Sequence, residues 1–319
     1  MQLSELGEFG LIHKLREKYR SSAKDLIAGI GDDAAAFKNP SGNTLITTDM
    51  MIEHTHFDLS FTTFFQLGYK FLAVNISDIL AMGGNPEYFI ISLGIPERIN
   101  IEDIEEVYSG INKIAAKFKV SIIGGDTCFS KNDFILSGTL TGRAKNIISR
   151  SGASKGDSIY VKGSLGDSAM GLQLLKKHGK KVHTFSPLTP RLKVIKRHLM
   201  PDPVPLKYTK GVTSMIDISD GLLIDVSHIC DESRVGAVIY ENKIPLSKAL
   251  REVAKREGSD PVTLALKGGE DYRLLFTSRH KLKTSAVKIG EITDRERFIM
   301  DSKGRKRALT PEGYEHFKK

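Results

Sequence analysis

Hydrophobic and polar residues alternate with helical spacing in three stretches of the first half of the chain. Residues 6–20 carry apolar side chains on one face, residues 64–82 form the most apolar stretch, and residues 101–118 are amphipathic. Gly83 and Pro86 follow the second stretch and end it, since glycine and proline interrupt helices. The pattern therefore predicts three helices.

Short apolar runs bounded by glycine or polar residues predict strands. These runs are residues 45–48, 88–93, 120–123, 134–140, 158–161 and 273–277. Further helices are predicted over residues 220–231 and from near Ala169. Strands and helices alternate without the regular rhythm of a doubly wound parallel sheet. We therefore expect the α+β class with mixed sheets.

A polar, glycine-containing stretch at residues 142–156 interrupts the pattern near the middle of the chain. A length of 319 residues exceeds what a typical single core organises, and domain boundaries fall in such stretches. We therefore predict two domains, residues 1–142 and residues 143–319.

Composition narrows the functional classes. The formal net charge of +9 suits either nucleic acid or anionic metabolites as partners. The basic residues are spread along the chain, their densest cluster is short (Lys303 to Arg307), and tryptophan is absent, so we favour a solvated basic surface and expect no nucleic-acid partner. Two cysteines and the lack of an apolar run of about 18 residues predict a cytoplasmic protein without a membrane partner.

Five short segments place carboxylates beside glycine or other small residues. They are Gly29 to Asp33, Thr47 to Asp49, Gly124 to Thr127, Asp217 to Gly221, and Gly268 to Tyr272. One such segment alone is usually a turn or a helix cap. Five together favour a magnesium and phosphate site, because magnesium prefers oxygen ligands and glycine lets backbone amides approach phosphate. Asp78 adds weight, since an aspartate between Ile76 and Ile79 needs a partner or a metal.

Several familiar nucleotide-binding signatures are absent from the sequence. It contains no Gly-x-x-x-x-Gly-Lys-Ser/Thr P-loop and no protein-kinase motif set. The loop from Gly163 to Gly166 is not a Rossmann Gly-x-Gly-x-x-Gly, and neither cysteine lies in a Cys-x-x-Cys pair. A carboxylate-based site therefore remains.

The order of these segments resembles the thiamine-monophosphate kinase family, which belongs to the superfamily of aminoimidazole ribonucleotide synthetase. The resemblance extends over almost the whole chain. It includes Gly29-Ile30-Gly31-Asp32-Asp33, Ala73-Val74-Asn75-Ile76-Ser77-Asp78, Gly124-Gly125-Asp126-Thr127, Asp217-Ile218-Ser219-Asp220-Gly221, Gly268-Gly269-Glu270-Asp271-Tyr272 and Gly313-Tyr314-Glu315-His316-Phe317.

This resemblance implies two α/β-sandwich domains and a role for each matching residue. Implied magnesium ligands are Asp33, Thr47, Thr48, Asp49, Asp78, Asp126, Asp217 and Asp220. Implied ATP contacts are Tyr108, Gly125, Asp126, Arg150 and Ser219, and implied substrate contacts are His56, Glu270 and Tyr314.

The implied reaction is phosphorylation of thiamine monophosphate to thiamine diphosphate by ATP, with several magnesium ions. A phosphate monoester has its second pKa near about 6, so the acceptor is already ionised and we expect direct in-line transfer without a catalytic base or covalent intermediate. The resemblance also implies a homodimer formed through the N-terminal domain, with ATP sites near the interface.

Two alternatives stay open at the level of sequence. One is another ATP-using enzyme of the same superfamily, which would share the aspartates but differ around His56, Glu270 and Tyr314. The other is a basic protein that binds nucleic acid, for which the carboxylate segments would have no purpose.

Overall fold

The computed structural model describes residues 3–18, 23–40, 42–179, 189–282 and 284–317. Its helices are α1 (Leu3–Lys18), α2 (Phe64–Ala81), α3 (Ile101–Phe118), α4 (Asp167–His178), α5 (Pro190–Leu199), α6 (Leu222–Ser233), α7 (Lys248–Glu257) and α8 (Pro261–Lys267). The predicted helices at 64–82 and 101–118 are confirmed. The helix predicted for 6–20 begins at Leu3, and residues 19 and 20 lie outside the described residues.

The strands are more numerous than the apolar runs alone indicated. They are β1 (Leu26–Ala28), β2 (Ala35–Asn39), β3 (Gly42–Ile52), β4 (Asn85–Ile95), β5 (Ser121–Phe129), β6 (Ile135–Ala144), β7 (Ser158–Val161), β8 (Val212–Asp217), β9 (Gly236–Tyr240), β10 (Leu274–Ser278), β11 (Val287–Thr293), β12 (Arg297–Met300) and β13 (Lys306–Ala308). β3 and β4 extend beyond their predicted runs at both ends, β5 and β6 begin one residue later than predicted and end later, and β7 coincides with its run.

The first sheet has six strands among the described residues, in the order β1-β2-β3-β6-β4-β5. β4 and β5 pair in parallel, whereas β4 and β6 pair antiparallel. α2 and α3 pack on one face, where Phe71, Phe89 and Leu136 belong to a common buried core. The opposite face is open at Met50 and Ile90, which are exposed.

The second sheet has seven strands among the described residues, in the order β13-β12-β9-β11-β7-β10-β8. β9 and β12 pair in parallel, and β7 and β10 pair antiparallel. Tyr160 and Phe276, from β7 and β10, join the core that α2 and the first sheet form. Both sheets are therefore mixed, as predicted, and α2 lies between them.

α2 owes its position to its sequence. Thr63 and Gln66 form a reciprocal capping box that begins the helix. The helix is buried almost all round because it contacts the first sheet on one side and β8 on the other. Polar residues within it, such as Lys70, Ser77 and Asp78, consequently lie between the two halves of the molecule.

The strands of the first sheet end at Ala144, and those of the second begin at Ser158. A division between residues 142 and 143 stays a prediction. Within the described ranges, no helix combines the length and the apolar character needed to cross a membrane.

Candidate active site

One cavity of about 1240 Å³ lies where β3, the C-terminal half of α2, the end of β8 and the loops before α6 and β10 meet. It is lined by residues from both halves of the chain. Twelve of the residues predicted from the sequence line it, namely Asp33, Thr47, Thr48, Asp49, His56, Asp78, Arg150, Asp217, Ser219, Asp220, Glu270 and Tyr314.

Three carboxylates converge at one end of this cavity. Asp33, Asp78 and Asp217 each offer an oxygen atom, and these three atoms lie within 4.8 Å of one another. Thr47 Oγ1 donates to Asp78 Oδ2 at 2.6 Å, and Ser77 Oγ donates to Asp217 Oδ2 at 2.5 Å. The two hydroxyl groups thus help to orient the carboxylates of Asp78 and Asp217.

Strand geometry decides which residues of β3 can contribute side chains to the cluster. Alternate residues of a strand point to opposite faces, so Thr47 and Asp49 share the face toward α2. Thr48 points the other way, and its Oγ1 donates to the backbone oxygen of Gly138 at 2.9 Å. Only the main chain of Thr48 can therefore contact a ligand in the cluster.

Without a cation nearby, the ionised forms of these carboxylates are energetically unfavourable. Burial raises the pKa of Asp217 to about 8, and the neighbouring charge of Asp33 adds to the shift. Burial likewise raises the pKa of Asp49 to about 6, and the pKa of Asp220 to about 7 with a further contribution from Glu8. Desolvation and mutual repulsion both favour the protonated forms, which a bound cation would reverse.

Two buried oxygens in the cluster have no hydrogen-bond partner among the described residues. They are Oδ2 of Asp33 and Oδ2 of Asp49. Buried carboxylate oxygens normally accept hydrogen bonds or bind metal. The donor set consists of oxygens from carboxylates and a threonine, which is the set that magnesium prefers. The residues present therefore fit magnesium.

Arg150 closes the cluster on the side of the loop before β2. Its Nη2 donates to Asp33 Oδ1 at 2.8 Å, and its backbone NH donates to Asp32 Oδ1 at 3.2 Å. Burial opposes the guanidinium charge, but Asp33 more than offsets this and raises the pKa of Arg150. Arg150 is thus a fixed cation at the edge of the carboxylates.

Aromatic side chains gather at the other end of the cavity. The rings of His56 and His316 lie 5.1 Å apart between centroids, and Tyr314 Oη lies 3.1 Å from His316 Nδ1. His56 Nδ1 accepts from the backbone NH of Ile52 at 3.1 Å, and burial lowers the pKa of His56. This end therefore presents aromatic surfaces suited to stacking on a flat ring.

Glu270 lies between the two ends and is held by residues from elsewhere in the chain. Its Oε1 is 2.6 Å from Lys70 Nζ, and its Oε2 is 3.1 Å from His198 Nδ1. Burial would raise the pKa of Glu270, but the charge of the neighbouring Lys70 lowers it. Glu270 is consequently an ionised carboxylate in the cavity wall.

Three predicted residues, Tyr108, Gly125 and Asp126, do not line the cavity. Asp49 is opposite Gly138, Gly138 is opposite Ile91, and Ile91 is opposite Gly125. Three inter-strand spacings of about 4.8 Å separate Asp49 from Gly125 by roughly 14 Å. Tyr108 lies on α3, against the first core.

Sequence reasoning missed several residues that build the site. Asp225 lines the cavity from α6, its Oδ2 accepts from the backbone NH of Gly221 at 3.2 Å, and burial raises its pKa. The signal that marked Asp78, an acid within an apolar helix, applies equally to Asp225. Lys70 stands between Tyr69 and Phe71 and carries the same signal with opposite charge.

Comparison with known proteins gives matches over both halves of the chain. Residues 31–144 match the model of the AIR synthase related protein N-terminal domain, and residues 154–303 match that of the C-terminal domain. The thiamine-monophosphate kinase of Aquifex aeolicus (strain VF5) is 36% identical over 325 residues, which cover 99% of this chain and 100% of the relative. The thiamine-monophosphate kinase of Escherichia coli (strain K12) is 36% identical, with 98% of each chain covered.

The chain belongs to the thiamine-monophosphate kinase family. It is accordingly a member of a phosphotransferase family, and the resemblance seen in the sequence motifs is confirmed. A solved structure described as AaThiL complexed with AMPPCP and TMP superposes with a TM-score of 0.87 at 34% identity, covering 99% of both chains. The predicted fold class, two α/β domains of the AIR synthase related type, is confirmed by the same matches.

Proposed function

We propose that this protein transfers the γ-phosphoryl group of ATP to thiamine monophosphate and forms thiamine diphosphate. The observation that carries the proposal is the two-ended cavity. Asp33, Asp78 and Asp217 converge at one end, and His56 and Tyr314 lie at the other. Relatives named thiamine-monophosphate kinase, together with a structural match described with AMPPCP and TMP, support both substrates.

Several magnesium ions belong to this proposal, held by carboxylates at the first end of the cavity. Bound there, magnesium would neutralise the phosphates and stabilise charge on the transferring group. The residues that would hold it are Asp33, Thr47, Asp49, Asp78, Asp217 and Asp220, with the main chain of Thr48.

The acceptor itself supplies the nucleophile in this mechanism. The second pKa of a phosphate monoester is about 6, so one phosphate oxygen of thiamine monophosphate is ionised at neutral pH without help from a base. That oxygen attacks the γ-phosphorus, and the bond to the oxygen that bridges the β- and γ-phosphates breaks. ADP leaves with the bonding electrons, and no covalent enzyme intermediate forms.

The protein's task is then to position two anions and to reduce their repulsion. Arg150 provides a buried cation at the carboxylate end, where it can approach ATP phosphates. Ser219, in the loop after β8, lines the same end. His56 and Tyr314 offer surfaces for the rings of the acceptor, and the ionised Glu270 complements the cationic thiazolium.

We further propose that the protein works as a homodimer in which a second copy covers the open face of the first sheet. Rows of opposite residues cross this face, one of them Met50, Ser137, Ser92 and Asp126. Met50 and Ile90 are exposed there, and an uncovered sheet face with apolar side chains is a candidate interface. A second copy would also explain why Asp126 stands apart from the carboxylates of its own chain.

The deciding experiment measures ADP and thiamine diphosphate with ATP, magnesium and thiamine monophosphate. Thiamine and a nucleoside monophosphate serve as acceptor controls, the first lacking the phosphate and the second lacking the thiazolium. We expect turnover with thiamine monophosphate and with neither control acceptor. Turnover only with some other acceptor would overturn the proposal in favour of a different reaction in the same superfamily.

The basic cluster near the C-terminus gives little support to a nucleic-acid partner. Arg305 forms an ion pair with Asp301, and Arg307 forms one with Glu241. Lys306 lies over the ring of Phe298, with Nζ 4.3 Å from its centroid. Much of the charge in this cluster is therefore compensated within the protein.

A further inference from the structure

Lys70 is a buried cation in the most apolar helix of the molecule. It is only 3% exposed, on the side of α2 that faces the second half of the chain. Its Nζ lies 2.6 Å from Glu270 Oε1, and within the described ranges this is its one ion pair. An ammonium ion removed from water needs a compensating charge, so the positions of Lys70 and Glu270 depend on each other.

The second oxygen of Glu270 is also engaged, but by a neutral group. His198 Nδ1 lies 3.1 Å from Glu270 Oε2 and 3.1 Å from Ser168 Oγ. Burial, reinforced by the charge of Lys70, lowers the pKa of His198 to about 3. Lys70 is therefore the group that balances the charge of Glu270 before any substrate binds.

The backbone that carries Glu270 needs such support. Glu270 and Tyr272 have φ angles of 61° and 47°, a left-handed conformation that is unusual for residues other than glycine. The backbone NH of Glu270 donates to Ser219 O at 2.6 Å, and that of Tyr272 donates to Ile218 O at 2.8 Å. The Glu270 loop is thus joined to the segment between Asp217 and Asp220.

The same face of α2 contacts both ends of the cavity. Seven residues, or about two helical turns, separate Lys70 from Ser77, which corresponds to roughly 10.5 Å along the axis. Lys70 pairs with Glu270 toward the acceptor end, whereas Ser77 donates to Asp217 at the carboxylate end. α2 therefore relates the two ends through two polar contacts on a rigid element.

Stability alone does not explain why a lysine stands at this position. A buried ion pair generally contributes little net stability, because desolvation of the two charges offsets their attraction. An apolar side chain would suit a site between Tyr69 and Phe71 equally well. Since Glu270 lines the cavity and Lys70 lies behind it, the charge of Lys70 acts on the cavity through Glu270.

We propose that Lys70 is a positioning residue that holds the Glu270 carboxylate in the orientation in which the acceptor, thiamine monophosphate, binds. This inference rests on the proposed function and deepens it. Lys70 does not touch the substrate. It determines affinity for a cationic, ring-containing acceptor, while the ATP end of the cavity is unaffected.

The test is a double-mutant cycle on the full chain with the variants K70M, E270Q and K70M/E270Q. KM and kcat are measured separately for thiamine monophosphate and for ATP. We expect K70M to raise KM for thiamine monophosphate at least about tenfold, with KM for ATP changed less than about threefold. The KM of the double variant for thiamine monophosphate should match that of E270Q within about twofold, because Lys70 acts only through Glu270.

A matched control removes another lysine from an ion pair outside the cavity. Lys177 on α4 pairs with Glu257 on α7, with Nζ 2.7 Å from Oε2. K177M should leave both KM values unchanged. The inference is overturned if K70M leaves KM for thiamine monophosphate unchanged, if it raises both KM values equally, or if the effects of K70M and E270Q multiply in the double variant.

K70M leaves the partly buried Glu270 carboxylate without its cation, so this variant alone can lose stability. Thermal unfolding is therefore recorded for each variant, and K70M/E270Q, which removes both charges, provides the kinetic comparison if K70M does not fold. A double variant whose KM for thiamine monophosphate is well above that of E270Q would contradict the inference. Failure of the wild-type protein to form thiamine diphosphate would instead refute the proposed function, so the two failures are distinguishable.

Discussion

Ser77 and Asp217 connect the two halves of the molecule at the carboxylate cluster. Ser77 lies on α2 beneath the first sheet, Asp217 ends β8 of the second, and the hydroxyl donates to Asp217 Oδ2 at 2.5 Å. This bond leaves Oδ1 as the freer oxygen of the carboxylate. Loss of a group that orients a metal ligand typically lowers metal affinity about 10- to 100-fold.

The first prediction concerns the substitution Ser77→Ala. We expect the magnesium concentration needed for half-maximal activity to rise about 10- to 100-fold, because the Asp217 carboxylate loses its fixed orientation. The measurement is a magnesium titration of thiamine diphosphate formation at saturating ATP and acceptor.

A suitable control for this prediction is Ser214→Ala. Ser214 is also buried, and its Oγ lies 2.7 Å from Thr277 Oγ1, between neighbouring strands of the second sheet. S214A should leave the magnesium titration unchanged. An unchanged titration for S77A as well would show that the hydroxyl does not orient a metal ligand.

The second prediction concerns Asp49, whose Oδ2 is buried without a partner among the described residues. D49N should lower kcat by at least about a thousandfold, since a metal ligand is lost. In the absence of metal, D49N should be at least as stable as the wild type. Burial raises the pKa of Asp49 to about 6, so its ionised form destabilises the fold above that pH.

Thermal unfolding without and with magnesium checks both parts of this prediction. Magnesium should raise the unfolding temperature of the wild type and have less effect on D49N. Asp157 supplies the control, since it is buried and accepts from Thr213 Oγ1 at 2.7 Å, outside the cavity. D157N should lose stability but keep its response to magnesium, and an active D49N enzyme would exclude Asp49 as a ligand.

The elements that sequence predicted best were those with long, strong periodicity. α2 and α3 were found almost to the residue because a buried helix repeats its apolar positions over several turns. The sequence patterns did not predict β1, β2, β8, β9, β11, β12 and β13, because runs of three to seven residues carry little periodicity by which to distinguish a strand from a loop.

The candidate site, too, could be predicted from the sequence only in part. Two kinds of signal identified the carboxylate cluster: an aspartate at the end of a strand, such as Asp217, and an acid within an apolar helix, such as Asp78. The contact of Lys70 with Glu270 joins residues 200 positions apart, so neither local pattern nor spacing could predict it. Sequence also could not show that Thr48 turns its hydroxyl to Gly138, because that depends on the register of β3.

The third prediction concerns pH and Asp271, which caps the start of α4. Its carboxylate accepts from the backbone NH of Gly166 at 2.6 Å, and burial raises its pKa to about 7. An acid with a higher pKa in the folded than in the unfolded chain loses stability as pH rises between the two values. The shift from 3.8 to about 7 corresponds to about 4 kcal/mol.

D271N retains an acceptor oxygen but cannot ionise. Relative to the wild type, its free energy of unfolding should therefore rise by about 3 kcal/mol between pH 5 and pH 8. Asp260, the N-cap of α8, is the control because hydrogen bonding by Thr263 lowers its pKa. D260N should have a small effect that is the same at both pH values, because asparagine is about as good an N-cap as aspartate. A D271N difference that stays constant would refute the assignment.

The last prediction tests whether a second copy completes the site. Ile90 lies on the open face of the first sheet, opposite Thr139 on β6 and Gly124 on β5. I90E should convert a dimer to a monomer and abolish turnover, as seen by light scattering and the kinase assay. V287E, which alters a similarly exposed strand residue of the second sheet, should change neither.

Complementation between inactive variants makes this test sharper. Asp126 follows Gly125, which lies three inter-strand spacings, or roughly 14 Å, from Asp49 in the same chain. This separation is too large for Asp49 and Asp126 of one chain to bind one metal ion, so we expect Asp126 to act in the site of the partner. D49N and D126N should each be inactive. After the subunits of the two variants are mixed and exchanged, half of the dimers are mixed and one of the two sites in each has both aspartates. About a quarter of wild-type activity should then return. No recovery after demonstrated exchange would show that Asp126 acts only within its own chain.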